Sequence, residues 1–156
     1  MRSILAFVLF LIACFGAAAI GAQFTPGEWY SALEKPSWNP PAWVFGPVWT
    51  LLYTLMAIAG WLVWKADAPA AARRMALTAF AIQLALNAAW SWLFFGLHRP
   101  GVAFAEIVTL WLAILATTLL FRRIRPSAAA LLLPYLAWVA FAAVLNFTLW
   151  RLNPPM

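Results

Sequence analysis

Charge is scarce in this chain. Only 9% of its 156 residues are charged, and the acidic ones are just Glu28, Glu34, Asp67 and Glu106. Cys14 is the sole cysteine and His98 the sole histidine. One cysteine excludes an intrachain disulfide, a CxxC pair and a c-type haem attachment. A single His and a single Cys, 84 positions apart by their numbers, do not make a metal site. No nucleophile–base pair or nucleotide-binding loop is present to run ordinary catalysis. Soluble domains carry about 25% charged and about 45–50% apolar residues. Here 67% are hydrophobic, more than a water-exposed fold of this length can hide. The natural solvent is lipid, and the chain reads as an integral membrane protein.

What is abundant is apolar sequence in five runs, at about residues 4–22, 42–65, 75–97, 101–121 and 127–150. Each is near the ~20 residues a helix needs to cross ~30 Å of hydrocarbon. The alternation of barrel strands is absent, and helices satisfy their own backbone groups in lipid. The expected fold is an all-α, five-transmembrane-helix bundle in one domain, residues 1–156, with a structured first loop. The net charge of +6 sits mostly in the short gaps between spans, which is a topology signal and not a nucleic-acid footprint. Arg2, Lys65, Arg73, Arg74, Arg122, Arg123 and Arg125 fall on one side; Lys35, Arg99 and Arg151 fall on the other. The positive-inside rule then puts the N-terminus in the cytoplasm, while the host membrane stays open. The first run admits two readings. Ala13, Ala17 and Gly21 make a small-residue packing stripe, whereas LIAC and AIGA resemble signal-cleavage sequences.

The first loop, FTPGEWYSALEKPSWNPP, is stiffened by prolines, and its middle, Glu28 to Leu33, is expected to form a short amphipathic turn. Trp29, Trp38, Pro40 and Pro41 are the candidate lid, with Pro41 suited to the first turn of the second span. Phe45, Trp49 and Tyr53 then recur every four residues on one helical face, with Pro47 between the first two. Asn87, Trp90, Ser91 and Phe94 share a face of the third span, and Trp138, Phe141, Ala142 and Leu145 share one of the fifth. An Asn at mid-bilayer belongs inside the bundle. Pooled, the stripes are expected to line a cavity for a large, flat, apolar ligand with a few polar edges.

Plainer roles compete for these residues. Trp43, Trp61, Trp64 and Trp150 suit the aromatic belt at headgroup level. Aromatic stripes also serve simple packing, and Asn87 and Asn146 can bond to neighbouring helices. Glu106, the only carboxylate within a span, either joins a proton or ligand path or snorkels towards Arg99.

The blocks EWYSALEKPSWNPPAWVFGPVWTLLYTLM, QLALNAAWSWLFFG and PYLAWVAFAAVLNFTLWRLN occur in order and span most of the chain. In these blocks the sequence resembles the TspO/MBR family, the tryptophan-rich sensory proteins related to the animal translocator protein. The resemblance implies a five-helix, usually dimeric fold that binds porphyrins such as protoporphyrin IX, and haem, as ligands rather than obligatory cofactors. By motif it assigns Trp49, Asn87 and Trp138 to the ligand. Two departures stand out. VLNFTLWR has Phe147 where the proposed sterol motif needs a Tyr, so cholesterol is not expected as the natural ligand. KPSWNPP has Ser37 where some bacterial relatives place another tryptophan.

Three functions follow. The first is a membrane protein that transports, senses or buffers tetrapyrroles. The second is a light- and oxygen-dependent porphyrin-degrading enzyme, with Trp49 and Trp138 as electron donors. The third is a regulatory membrane partner whose cavity is incidental, joined through Ala81, Ala85 and Ala89. Iron ligation by His98 is not expected, because it lies in a loop away from the stripes.

Overall fold

A computed structural model describes residues 2–154. Five long helices, each apolar enough to span a membrane, account for most of it. They are α1 (Arg2–Gly21), α3 (Ala42–Trp64), α4 (Ala70–Ser91), α5 (Pro100–Ile124) and α6 (Pro126–Leu152). A single surface helix, α2 (Glu28–Ala32), interrupts the first loop as its sequence foretells. No strand occurs among the described residues. The helices overrun the apolar runs, most clearly in α4, which begins at Ala70 and carries Arg73 and Arg74 in its first turns. Backbone bonding extends into the headgroup zone, where charged side chains remain solvated, so hydropathy alone underestimates helix length.

Prolines open two of these helices, Pro100 in α5 and Pro126 in α6, where a missing N–H costs nothing. Pro41 falls one position earlier than expected, as the residue preceding α3. Pro47 and Pro134 lie inside helices, each removing one backbone donor.

Packing follows a closed ring in the order α1, α3, α6, α5, α4, and back to α1. The buried face of α1 is Ala6, Cys14 and Ala17, with half-buried Phe10 and Gly21 along it, while Ala13 points outward. A strict spacing of four drifts around a 3.6-residue helix, so the Ala13–Ala17–Gly21 stripe loses its first member. Ring contacts tie the lower half of α1 to its neighbours: Phe7 lies 5.4 Å from Trp61, and Phe10 lies 6.0 Å from Phe80. The Trp61 Nε1–H donates to the Ser3 carbonyl at 3.0 Å, giving this tryptophan a tying role beyond the interfacial belt.

Gly60 makes the close approach at Phe10 possible, because a Cβ there would sit 2.7 Å from that ring. Gly60→Leu is therefore expected to cost about 1–3 kcal/mol by overpacking the α1–α3 contact. Gly16→Leu, at a site with nothing within 4 Å of an added Cβ, is the matched control. Thermal unfolding in detergent should show a lowered midpoint for the first variant alone.

Lys65, Arg73, Arg74, Arg122, Arg123 and Arg125 gather at one end of the bundle, and Lys35, Arg99 and Arg151 at the other. The first loop folds over this second end. The Glu34 backbone N–H donates to Asn153 Oδ1, and Asn153 Nδ2 donates to the Glu34 carbonyl, both at 2.9 Å. One side-chain amide thus joins residues 119 positions apart, tying the first loop to the residue that follows the last helix.

Candidate functional site

The ring of helices encloses a cavity of about 500 Å³ in its loop-side half. Phe45, Trp49 and Tyr53 reach it from α3, Asn87, Trp90 and Ser91 from α4, and Trp138 and Ala142 from α6. Ile107 and Leu110 of α5 complete the apolar wall. The rings brace one another, Phe45 and Trp138 edge to face at 5.9 Å and 74°, and Trp49 and Tyr53 tilted at 5.5 Å and 32°. Such geometry suits the aromatic quadrupole and leaves ring faces free for a flat guest.

The polar end of the cavity is a clamp around Asn87. Tyr53 donates its hydroxyl to Asn87 Oδ1, and Asn87 Nδ2 donates to the Tyr135 hydroxyl at 2.9 Å. All three residues are buried, and Tyr135 completely so. Three helices are joined by one amide, which fixes both the pocket wall and the α3–α4–α6 spacing. Tyr135 escapes a reading based on stripes because its ring packs behind Trp49, 6.2 Å away, and does not line the cavity. Its position in PYLAW, three residues before Trp138, is the available signal.

A second tie acts on Trp90. Its indole N–H donates to Asn146 Oδ1 at 3.0 Å, and Asn146 Nδ2 donates to the Pro100 carbonyl at 2.8 Å. Asn146 is therefore an interhelical bond, and it holds the Trp90 ring in the wall.

Three residues expected at the ligand lie elsewhere. Phe94, Phe141 and Leu145 are outside the cavity wall and form a packed layer beneath the loop. Phe94 is displaced because α4 ends in a π-helical turn, Trp92–Gly96, closed by Leu97 N–H to the Trp92 carbonyl at 2.8 Å. A π turn advances less per residue than an α turn. The face shared by Asn87 and Ser91 consequently continues at Phe95, which lines the cavity, and not at Phe94. Phe141 and Leu145 lie about one turn further towards the loop than Trp138 and Ala142 respectively. There Phe141 meets Trp38 at 5.9 Å, and Leu145 packs in the Phe94 cluster.

The lid is likewise rearranged. Trp29 stacks on His98 at 4.4 Å and 14° and meets the edge of Phe94 at 5.7 Å. Trp38 covers Phe141. Pro40 and Pro41 follow a turn in which the Asn39 N–H donates to the Pro36 carbonyl at 3.0 Å. Tyr30 closes this turn by donating to Asn39 Oδ1 at 3.4 Å, and burial pushes its phenol above the ordinary range, partly offset by that bond. None of these four lid residues lines the cavity. Its loop wall comes from Phe24, Thr25 and Pro26, before α2.

Glu106 does not snorkel: both carboxylate oxygens are buried without a hydrogen-bond partner among the described residues. No group of three or more potential metal-ligating side chains occurs among the described residues either.

These features define a multi-pass integral membrane protein with an aromatic intramembrane cavity closed by a tied loop. The TspO/MBR family pattern matches residues 7–151, and the chain belongs to that family. It is 41% identical over 152 residues to "Protein CrtK" of Rhodobacter capsulatus, covering 97% of this chain and 95% of that one. It is 43% identical over 160 residues to "Tryptophan-rich protein TspO" of Chlorobaculum tepidum, covering 98% and 99%. Similarity extends to "Translocator protein" of Homo sapiens, 44% identical over 138 residues, covering 86% of this chain and 82% of the relative.

Proposed function

We infer that the protein binds a tetrapyrrole of the protoporphyrin IX or haem class within the bilayer, acting in porphyrin transport, sensing or regulation. The observation that carries this reading is the cavity itself. Phe45, Trp49, Trp90, Phe95 and Trp138 offer ring surface on several sides, and the Tyr53–Asn87 end, with Ser91, supplies polar atoms. A macrocycle with apolar faces and polar edge atoms matches that division. Ligand and protein meet through stacking, with no call for iron ligation, since His98 is committed to Trp29 outside the cavity.

Light-dependent porphyrin breakdown is the second reading, favoured by the placement of both Trp49 and Trp138 in the wall. The excited macrocycle and dioxygen would supply that chemistry, and the indoles would serve as electron donors. The basic end of the bundle supports a cytoplasmic N-terminus. Exposed Ala81 and Ala85, in a groove along α4, support pairing of two copies.

The direct test is a dark titration of purified protein with protoporphyrin IX, followed by tryptophan quenching. Saturation near one ligand per protomer is expected. A linear response would mean that the porphyrin merely dissolves in detergent, and the reading would be abandoned.

A further inference from the structure

We propose that the ligand enters sideways from the lipid, through the seam between α1 and α3, while the first loop stays latched by Asn153. This route rests on the porphyrin reading above and adds the phase from which the ligand is taken.

The wall of the cavity is uneven in exposure. Its α4, α5 and α6 residues are buried or half-buried, as are Trp49 and Tyr53. Its exposed members are Phe15 and Ala22 on or just beyond α1, Thr25 and Pro26 at the start of the loop, and Gly46 and Thr50 on α3. The opening therefore lies between α1 and α3, in the leaflet on the side of the first loop. Lower down the same seam is shut by Phe7 against Trp61, Phe10 against Gly60, and the Trp61–Ser3 hydrogen bond. In the upper half the only ring contact between the two helices among the described residues is Phe15 to Tyr53, at 6.1 Å.

The rim is suited to lipid. Gly46 has no side chain, and nothing lies within 4 Å of where a Cβ would project. Thr50 returns its hydroxyl proton to the Gly46 carbonyl at 2.9 Å, so it does not face the lipid as an unpaired donor. The path over the loop is obstructed by contrast. Asn153 grips Glu34 through two bonds, Trp29 is stacked on His98, and Trp38 rests on Phe141. A flat apolar ligand partitions into bilayer before it meets protein, so a lipid-facing door shortens its path and avoids breaking this set of contacts.

The test uses full-length protein in lipid nanodiscs, with protoporphyrin IX supplied in the dark from vesicles. Gly46→Trp should slow both association and dissociation by about tenfold while the dissociation constant moves less than about threefold, because a narrowed door raises one barrier for both directions. Asn153→Ala should leave both rates unchanged. Faster exchange in Asn153→Ala with no change in Gly46→Trp would place the route over the loop and overturn the proposal. A weakened affinity in Gly46→Trp with unaltered association would mean that the added indole displaces bound ligand without narrowing its path, with the same consequence.

If wild-type protein shows no saturable binding, the porphyrin reading fails, and the seam is judged without ligand. A nitroxide attached at Gly46→Cys should collide more with dissolved oxygen than with a water-soluble nickel chelate, the native Cys14 being buried and unlabelled. Preferential collision with the chelate would show a water-facing opening and end the proposal.

Discussion

Asn87→Ala is expected to weaken dark protoporphyrin IX binding by about tenfold, roughly 1.4 kcal/mol, and to lower the thermal midpoint as well. The reason is that the amide is shared between pocket and scaffold. Tyr53 loses its acceptor and Tyr135 its donor in a single substitution. Interhelical hydrogen bonds in membranes are worth about 0.6–2 kcal/mol each. A buried hydroxyl left unpaired costs more than a bond never built, so the two orphaned tyrosines dominate the loss. Tyr135→Phe added to Asn87→Ala should then recover part of the stability, because it removes one orphan at nearly constant shape. Asn87→Asp keeps the acceptor for Tyr53, loses the donor to Tyr135, and should fall between wild type and Asn87→Ala. Thermal unfolding of the four proteins checks this ordering. If Asn87→Ala unfolds at the wild-type temperature, the clamp carries no strain-bearing role and its tyrosines have found other partners.

Much of this architecture is legible in the chain because it depends on patterns that survive without tertiary information. Five apolar runs specify five helices, and the periods of Phe45–Trp49–Tyr53 and Asn87–Trp90–Ser91 select the faces that meet. What is not legible depends on local departures from those periods or on distant pairing. The π turn at Trp92–Gly96 exchanges Phe95 for Phe94, and nothing in the periodicity of WLFFG announces an extra residue in the turn. The latch from Asn153 to Glu34 joins one loop to the far end of the chain, and no spacing rule reaches that far. Tyr135 is hidden for a related reason: it works from behind the wall, through Asn87, where a stripe of lining residues does not extend. The lid tryptophans illustrate the same limit, since their location in the loop is evident but their stacking on His98 and Phe141 is a product of folding.

Trp138→Ala is expected to weaken dark binding by about 10–100-fold, or roughly 1.4–2.8 kcal/mol, without unfolding the bundle. Trp138 is half-buried, held between Phe45 at 5.9 Å and Phe141 at 5.4 Å, so it presents a positioned ring to the cavity. Removing the indole deletes a stacking surface and lets the neighbouring phenylalanines relax into the space, which blunts the cavity penalty of a fully packed core site. Trp138→Phe keeps a ring and should hold affinity within about threefold of wild type, as expected when most of the gain comes from aromatic contact and not from the indole N–H. The pair of variants therefore separates binding from chemistry. Under illumination in air, a protein that only binds should protect or bleach protoporphyrin IX equally as wild type and as Trp138→Phe once occupancy is matched. An indole acting as electron donor predicts breakdown that is lost in Trp138→Phe at full occupancy, with Trp49→Phe, on the neighbouring helix α3, showing the same loss. Equal affinity for Trp138→Ala and wild type would remove this ring from the site and shift the binding surface towards Trp49 and Trp90.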